Sequence, residues 1–127
     1  MAMQSDDDVV TLVVPARSDF LQLSRLNVAG TLGNAGFSID EIEDLKIGAE
    51  ELSATLLTRG TGNRIEVSIR VDEDGATVVA ERAADADESI ELDEFVGTIL
   101  DAVVDSFDLA STPTGLRFTM RKRLRDR

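Results

Sequence analysis

The 127-residue sequence contains no cysteine and no histidine. The absence of cysteine excludes disulfides, thiolate metal sites and thiol chemistry, and the absence of histidine removes the usual general base and the commonest metal ligand. The sequence also lacks an apolar run near the roughly 18 residues that a membrane span requires. Acids follow the N-terminus where a signal peptide would need bases and an apolar run, so we expect a cytoplasmic protein that does not bind membranes.

Charge is unevenly distributed along the chain, whose formal net charge is −12. Residues 117–127 carry six bases against one acid, so the rest of the chain holds a net charge of −17. Such an acidic body repels nucleic acid and anionic membranes, and we interpret the basic segment as a fraying strand end. The acidity suits a basic protein partner, with solubility alone as the alternative.

Apolar periodicity predicts one domain over residues 9–124, preceded by a disordered tail over residues 1–8. Strands are predicted over 9–14, 64–71, 76–81, 107–111 and 116–123, and helices over 18–32, 39–57 and about 92–104. Three helices that each carry an apolar stripe need one sheet face to cover. The order β-α-α-β-β-α-β-β therefore predicts a two-layer α+β sandwich, in which a mixed, mostly antiparallel sheet is covered on one face by three helices.

The helix predicted over residues 39–57 is the most regular segment. Ser38 and Glu41 form a capping-box pattern at its start. One stripe of this helix is expected to face the core and comprises Ile42, Leu45, Ala49, Leu52 and Leu56. A second stripe contains Glu51 and Thr55, which are neighbours four residues apart. From the residues alone, Glu51 beside Thr55 is the only candidate for a catalytic group, and a solvated surface is the alternative.

The other two helices carry weaker signals. Ser18 is expected to cap the first helix, whose apolar residues spread widely around its axis, so that this helix could meet a partner as well as its own sheet. In the third helix, Phe95, Ile99 and Val103 recur at helical spacing and are expected to join the core.

Two segments carry a resemblance to a known family. The sequences RLNVAG in the first helix and DEIEDLKIGAEELSATLL in the central helix resemble the bacterial anti-sigma factors that are also serine kinases. Those proteins are Bergerat-type ATPases, relatives of histidine-kinase catalytic domains. The resemblance covers nearly the whole chain in its order of elements, and it implies a histidine-kinase-like ATPase fold.

The resemblance also identifies a nucleotide site. In that family the central helix carries E-x-x-x-N, in which the glutamate is the general base and the asparagine holds magnesium. The matching residues here are Glu51 and Thr55, so a base is retained and a metal ligand is changed. Because Mg²⁺ demands near-ideal octahedral geometry, the shorter threonine side chain should weaken its binding.

The other nucleotide-binding motifs of the family are altered as well. Its adenine-contacting D-x-G-x-G motif matches Glu81 and Ala83, and its phosphate-cradling glycine pair matches Glu94, Phe95 and Val96. Residues 81–94 hold seven acids and one base, which would repel a triphosphate. The resemblance therefore implies a vestigial Mg-ATP site with no cofactor and no metal, in which Glu51 is a relic or a polar surface residue.

Partners follow from the same resemblance. Arg25 in RLNVAG matches an arginine through which family members contact a sigma factor, and an ordinary exposed arginine is the alternative. The implied function is an anti-sigma regulatory protein of a stress response, which binds a sigma factor or its STAS-domain anti-anti-sigma factor without ATP turnover. Homodimers are usual in the family. The alternatives are an active serine-protein kinase that uses Glu51 and Thr55, and a degenerate docking or dimerisation module in another signalling system.

Overall fold

The computed structural model describes residues 9–124, so the tail predicted over residues 1–8 lies outside the described residues. The strands are β1 (Val9–Pro15), β2 (Arg64–Val71), β3 (Gly75–Ala83), β4 (Ser106–Thr112) and β5 (Gly115–Arg123). The α-helices are α1 (Gln22–Leu32), α2 (Ile39–Arg59) and α3 (Glu94–Val103), and a short 3-10 helix (Ser18–Phe20) precedes α1. The observed order of strands and α-helices is the predicted one. None of the described helices is both long and apolar enough to cross a membrane.

The five strands form one sheet in the order β1-β2-β3-β5-β4. Every neighbouring pair in the described part of the chain is antiparallel, so the expectation of a mixed sheet is wrong. The physical reason is that tight hairpins join β2 to β3 and β4 to β5, whereas two consecutive helices return the chain between β1 and β2. The predicted two-layer α+β architecture is confirmed.

The core lies between the helices and one face of the sheet. Strand β2 alternates as predicted, with Ile65, Val67, Ile69 and Val71 buried. Strand β5 contributes Leu116, Phe118 and Met120, and α2 contributes Leu45, Ala49, Leu52 and Leu56 from its predicted stripe. Ile42 of that stripe is only partly buried against the core. The predicted core-facing residues of α2 and of these strands are therefore confirmed.

The capping box predicted for α2 is present. The backbone N–H of Glu41 donates to Oγ of Ser38 at 3.1 Å, and Oε1 of Glu41 accepts from the backbone N–H of Ser38 at 2.8 Å. Deeper in the helix, a Cβ added at Gly48 would lie 2.5 Å from Sδ of Met120. A residue without a side chain at this position therefore lets α2 approach β5 closely.

The first helix begins later than predicted. Ser18 starts one turn of 3-10 helix, and α1 begins only at Gln22, after an N-cap residue, Leu21, that makes no side-chain capping bond. The guanidinium of Arg17 lies 3.3 Å from Asp19 and 4.8 Å from the ring centroid of Phe20. These local contacts stabilise a tight turn where the sequence predicts a continuous helix.

The third helix is shorter than predicted and packs differently. Asp93 caps it, because its Oδ1 accepts from the backbone N–H of Phe95 at 2.8 Å. The buried residues of α3 are Leu100 and Val103, which lie in its C-terminal half. The side chain of Phe95 in the first turn is 72% exposed, so the expectation that it joins the core is wrong. Ile99 is only half-buried.

Candidate functional site

An open hollow of about 260 Å³ lies between the C-terminal half of α2 and the start of α3, and we call it the α2–α3 hollow. Its lining residues are Glu51, Ala54, Thr55, Thr58 and Arg59 from α2, and Asp93, Phe95 and Val96 from the start of α3. The structure thus brings the predicted catalytic pair, Glu51 and Thr55, together with two residues of the segment that matches the family's phosphate cradle. These residues are more than 35 positions apart in the sequence and meet because α3 docks beside α2.

Glu51 is the titratable group of this hollow whose ionisation is perturbed. Partial burial raises the pKa of its carboxyl group above the ordinary value, and the neighbouring Glu50 raises it further. Within the described residues, the Glu51 carboxylate has no hydrogen bond and no ion pair. A carboxylate in this state can accept a proton, or it can pair with a cation supplied from outside the chain.

Thr55 is less accessible than its neighbour. It is 8% exposed, and its backbone carbonyl accepts a hydrogen bond of 3.0 Å from Oγ1 of Thr58. Its side chain is therefore part of the floor of the α2–α3 hollow and does not project from it.

Arg59, at the end of α2, is the base that lines the α2–α3 hollow. Its Nη1 donates to the backbone carbonyls of Ser89, at 3.4 Å, and of Glu91. These bonds tie the loop that precedes α3 to the end of α2. The guanidinium is therefore already engaged with backbone oxygens.

Glu81 and Ala83 lie on the other side of the sheet. In β3, Val78 and Ala80 point into the core, so Glu81 and Ala83 point to the face that no helix covers. Glu81 accepts from Nε of Arg117 at 2.9 Å, and both Glu81 and Ala83 line a separate hollow on that face. The structure does not bring these two predicted nucleotide positions together with Glu51 and Thr55.

Arg82 takes the helix-facing position at the end of β3, a role that the sequence analysis missed. Its Nε donates to the carbonyl of Gly62 at 2.8 Å, and its Nη1 donates to the carbonyls of Leu56 at 2.8 Å and Leu57 at 2.9 Å. A cation therefore satisfies carbonyls in the last turn of α2, where the helix dipole is negative. The sequence signal for this role is the alternation of β3, because Arg82 follows Val78 and Ala80 at intervals of two residues and so points to the same face.

Arg25 lies in a different place, on a groove between α1 and α2 that we call the α1–α2 groove. Its Nη1 is 3.3 Å from Oε1 of Glu50, and both side chains are 43% exposed. The same groove is lined by two exposed apolar residues, Leu26 and Ile47. The wide spread of apolar residues around the first helix was the sequence signal for Leu26, whereas Ile47 was missed.

Lys122 is the second charged residue that the sequence analysis misplaced. The basic C-terminal segment was interpreted as a fraying strand end, yet Lys122 in β5 is only 5% exposed. Its Nζ lies 3.3 Å from Oδ2 of Asp44 and donates to the carbonyl of Val103 at 2.9 Å. The side chain joins β5 to α2 and to the end of α3, so this part of β5 is anchored.

The described residues form an α+β protein, in which three helices cover one face of a five-stranded antiparallel sheet. A solved structure shows the same fold: the RsbU and RsbW domains of Rv1364c from Mycobacterium tuberculosis match 91% of this chain and 32% of that chain, with a TM-score of 0.72 and 14% sequence identity. No family model matches the sequence.

The chain is similar in sequence to curated proteins named serine-protein kinase RsbW, which confirms the resemblance seen in the two helical segments. It is 34% identical over 77 residues to the protein of Listeria monocytogenes serovar 1/2a, a match that covers 61% of this chain and 44% of the relative. It is 28% identical over 90 residues to the protein of Halalkalibacterium halodurans, covering 69% of this chain and 54% of the relative. The matched part thus spans about half the length of these relatives.

Proposed function

We propose that the protein is an anti-sigma regulatory factor of a bacterial stress response, which binds a sigma factor or its STAS-domain antagonist without turning over ATP. The relationship to RsbW kinases supports the class of partner and a cytoplasmic site of action. The proposal that ATP is not turned over is supported by the α2–α3 hollow, where Phe95 and Val96 lie beside the side chains of Glu51 and Asp93.

The residues of this hollow do not suit Mg-ATP. Two carboxylates face the space that a triphosphate would enter, and Arg59 already donates to two backbone carbonyls. Thr55, in the place of the family's metal-binding asparagine, is 8% exposed and has a short side chain. Glu81, which matches the adenine-contacting aspartate, lies on the opposite sheet face in an ion pair with Arg117. The separation of these positions supports the proposal that the chain does not turn over ATP.

The α1–α2 groove is the surface that we assign to the sigma factor or its antagonist. Leu26 is 62% exposed and Ile47 is 43% exposed, so a partner that covers them gains hydrophobic contact. The exposed Arg25 can exchange its ion pair with Glu50 for a carboxylate of the partner at little cost, because such surface pairs contribute about 1 kcal/mol or less.

Two measurements test the proposal. Calorimetry with Mg-ATP up to millimolar concentration should give no heat of binding, and micromolar binding would contradict a vestigial nucleotide site. Pull-down with sigma factors and STAS-domain proteins of the source bacterium should yield a complex that Arg25→Ala weakens about 10-fold or more, as removal of a central interface arginine does. Arg64→Ala, on the uncovered sheet face, is the matched control and should leave binding unchanged. Failure to isolate any complex would contradict the assigned partner class.

An active serine-protein kinase is the second candidate, and Glu51 favours it. A general base works best when its pKa is shifted toward the operating pH, and burial together with Glu50 raises the pKa of Glu51. The test is phosphorylation of a STAS-domain partner from labelled ATP. A kinase would lose activity in Glu51→Gln and keep it in the matched neighbour variant Glu50→Gln, whereas our proposal expects no transfer in any of the three proteins. Thr55→Asn tests whether restoring the asparagine restores activity.

A further inference from the structure

Two large apolar side chains are exposed near the α2–α3 hollow, although this chain buries most of its large apolar residues. Phe95 is 72% exposed and contributes to the lining of the hollow, and Ile90 in the preceding loop is 50% exposed. Exposed aromatic residues next to a concave surface are typical of protein interfaces, where they are covered by the partner. The exposed position of Phe95 therefore indicates a contact with another molecule.

The charge around the hollow selects the kind of ligand. Glu51 and Asp93 line it, and the exposed Glu91 and Glu94 flank it in the sequence. Arg59, the basic residue that lines the hollow, already donates to the backbone carbonyls of Ser89 and Glu91. The four carboxylates outnumber the one guanidinium, so the local charge is negative, which attracts cationic groups and opposes anionic ones such as phosphates.

The size of the hollow also argues for a side chain of a larger molecule. Its volume is about 260 Å³, below the roughly 300–1,000 Å³ of typical small-molecule sites. Ala54, Thr55 and Val96 add methyl groups to its lining, against which the aliphatic stem of a long side chain can pack. A lysine or arginine side chain fits a hollow that is lined by both aliphatic groups and carboxylates.

We propose that the α2–α3 hollow docks a basic segment of a partner protein, whose arginine or lysine side chain enters beside Phe95 and pairs with Glu51. The cation would lie against the aromatic ring and meet a carboxylate that has no partner within the described residues. An apolar residue of the same segment would cover Ile90. The inference rests on the proposed function only in requiring a protein partner, because the hollow is separate from the α1–α2 groove.

The direct test is a titration of the ¹⁵N-labelled full chain with a short synthetic peptide of alternating arginine and leucine. We expect amide shifts to concentrate in residues 51–59 and 89–97, and we expect the glutamate-leucine counterpart to cause none. In fluorescence anisotropy with the same peptide, Phe95→Ser and Glu51→Gln should each weaken binding by roughly 2- to 5-fold, the range supplied by exposed cation–π contacts and ion pairs.

Matched variants separate this site from general attraction to an acidic protein. Ile39→Ser removes another exposed apolar side chain, 79% exposed, and Glu73→Gln removes the same charge from a distant hairpin. Both should bind the peptide like the wild type, and equal weakening by these controls would overturn the proposal. Shifts confined to the α1–α2 groove would overturn it too, while leaving the proposed function intact. Loss of the sigma-factor complex in Arg25→Ala, in contrast, tests only the proposed function.

Discussion

Single charged residues inside or beside the core decide much of how this fold is held and how its site behaves. Arg82 and Lys122 both place a cation against the carbonyls at the end of a helix, and each makes contacts between separate elements. Hydrophobic patterning treats charged residues as exposed. Alternation along β3 indicates which face Arg82 takes, but it cannot identify the hydrogen-bond acceptors, because the charged head reaches carbonyls that only the tertiary structure supplies.

Arg82 provides the first prediction at this scale. Arg82→Ala leaves the carbonyls of Leu56, Leu57 and Gly62 without their donor, and charged hydrogen bonds of this kind contribute about 1.5–3 kcal/mol each at most. We expect the free energy of unfolding, measured with urea, to fall by roughly 2–4 kcal/mol. Arg64→Ala, which removes an exposed arginine, should change it by about 0.5 kcal/mol or less. Equal losses in the two variants would contradict the capping role.

The second prediction at this scale is that Glu51 makes the stability of the fold depend on pH. Because the folded state raises the pKa of this carboxyl, the folded state binds the proton more tightly than the unfolded state does. Its contribution to stability is complete below the ordinary glutamate pKa and is lost as the pH rises through the raised value. Urea unfolding should therefore show Glu51→Gln gaining stability relative to the wild type between pH 4 and pH 7. The matched variant Glu73→Gln should show no such trend. If the stability of Glu51→Gln relative to the wild type fell as the pH rose, the assigned cause would be contradicted.

At the scale of elements, the sequence predicts regular periodicity well and docking poorly. Strand β2 alternates over its whole length and α2 carries a complete capping box, so both were predicted with bounds within two residues. The periodic stripe of α3 continues through Phe95, but the pattern does not reveal that only the C-terminal half of the helix meets the core. Of the positions that the resemblance assigns to one nucleotide site, Glu51, Thr55, Phe95 and Val96 line the same hollow in the structure. Glu81, which the resemblance assigns to the same site, directly follows the buried Ala80 in β3 and therefore points to the opposite face, away from the helices.

The capping box makes α2 itself testable. Ser38→Ala removes the oxygen that accepts from Glu41 N–H, and the cost should be about 1 kcal/mol of unfolding free energy. Ser38→Asp keeps an acceptor and adds a charge that the helix N-terminus favours, so it should match or exceed the wild type. Thermal melts of both variants check this order. If the aspartate variant were the less stable of the two, the cap would not be the reason for the loss.

At the scale of the whole molecule, arginines are concentrated on the uncovered face of the sheet. Five arginines of β2 and β5 point to the uncovered side of the sheet, where Arg117 pairs with Glu81 and Arg121 with Asp72. Hydrogen bonds from Arg121 lower the pKa of Asp72, so this pair stabilises the fold at neutral pH and is lost only in acid. On the helix side, Asp93 of the loop before α3 lines the proposed docking site, and the backbone of Glu91 is bonded to Arg59.

Net charge gives the last prediction. A chain with a net charge of −12 repels itself in the compact state, and salt screens this repulsion over a Debye length of about 10 Å at 0.1 M. Raising NaCl from about 0.01 to 0.2 M shortens that length from about 30 Å to below 10 Å. We expect Tm to rise, by about 4 °C for each 1 kcal/mol of repulsion removed in a chain of this size.

The opposing effect of salt is the weakening of surface ion pairs such as Arg117–Glu81. Each such pair contributes about 1 kcal/mol or less, and its two members are 52% and 39% exposed, so screening of the net charge should dominate. The variant Glu73→Lys, which lowers the net negative charge by two, should have a higher Tm at low salt and a smaller rise with salt. A Tm that falls with added NaCl would show that the ion pairs outweigh the repulsion. The net negative charge would then not destabilise the folded state.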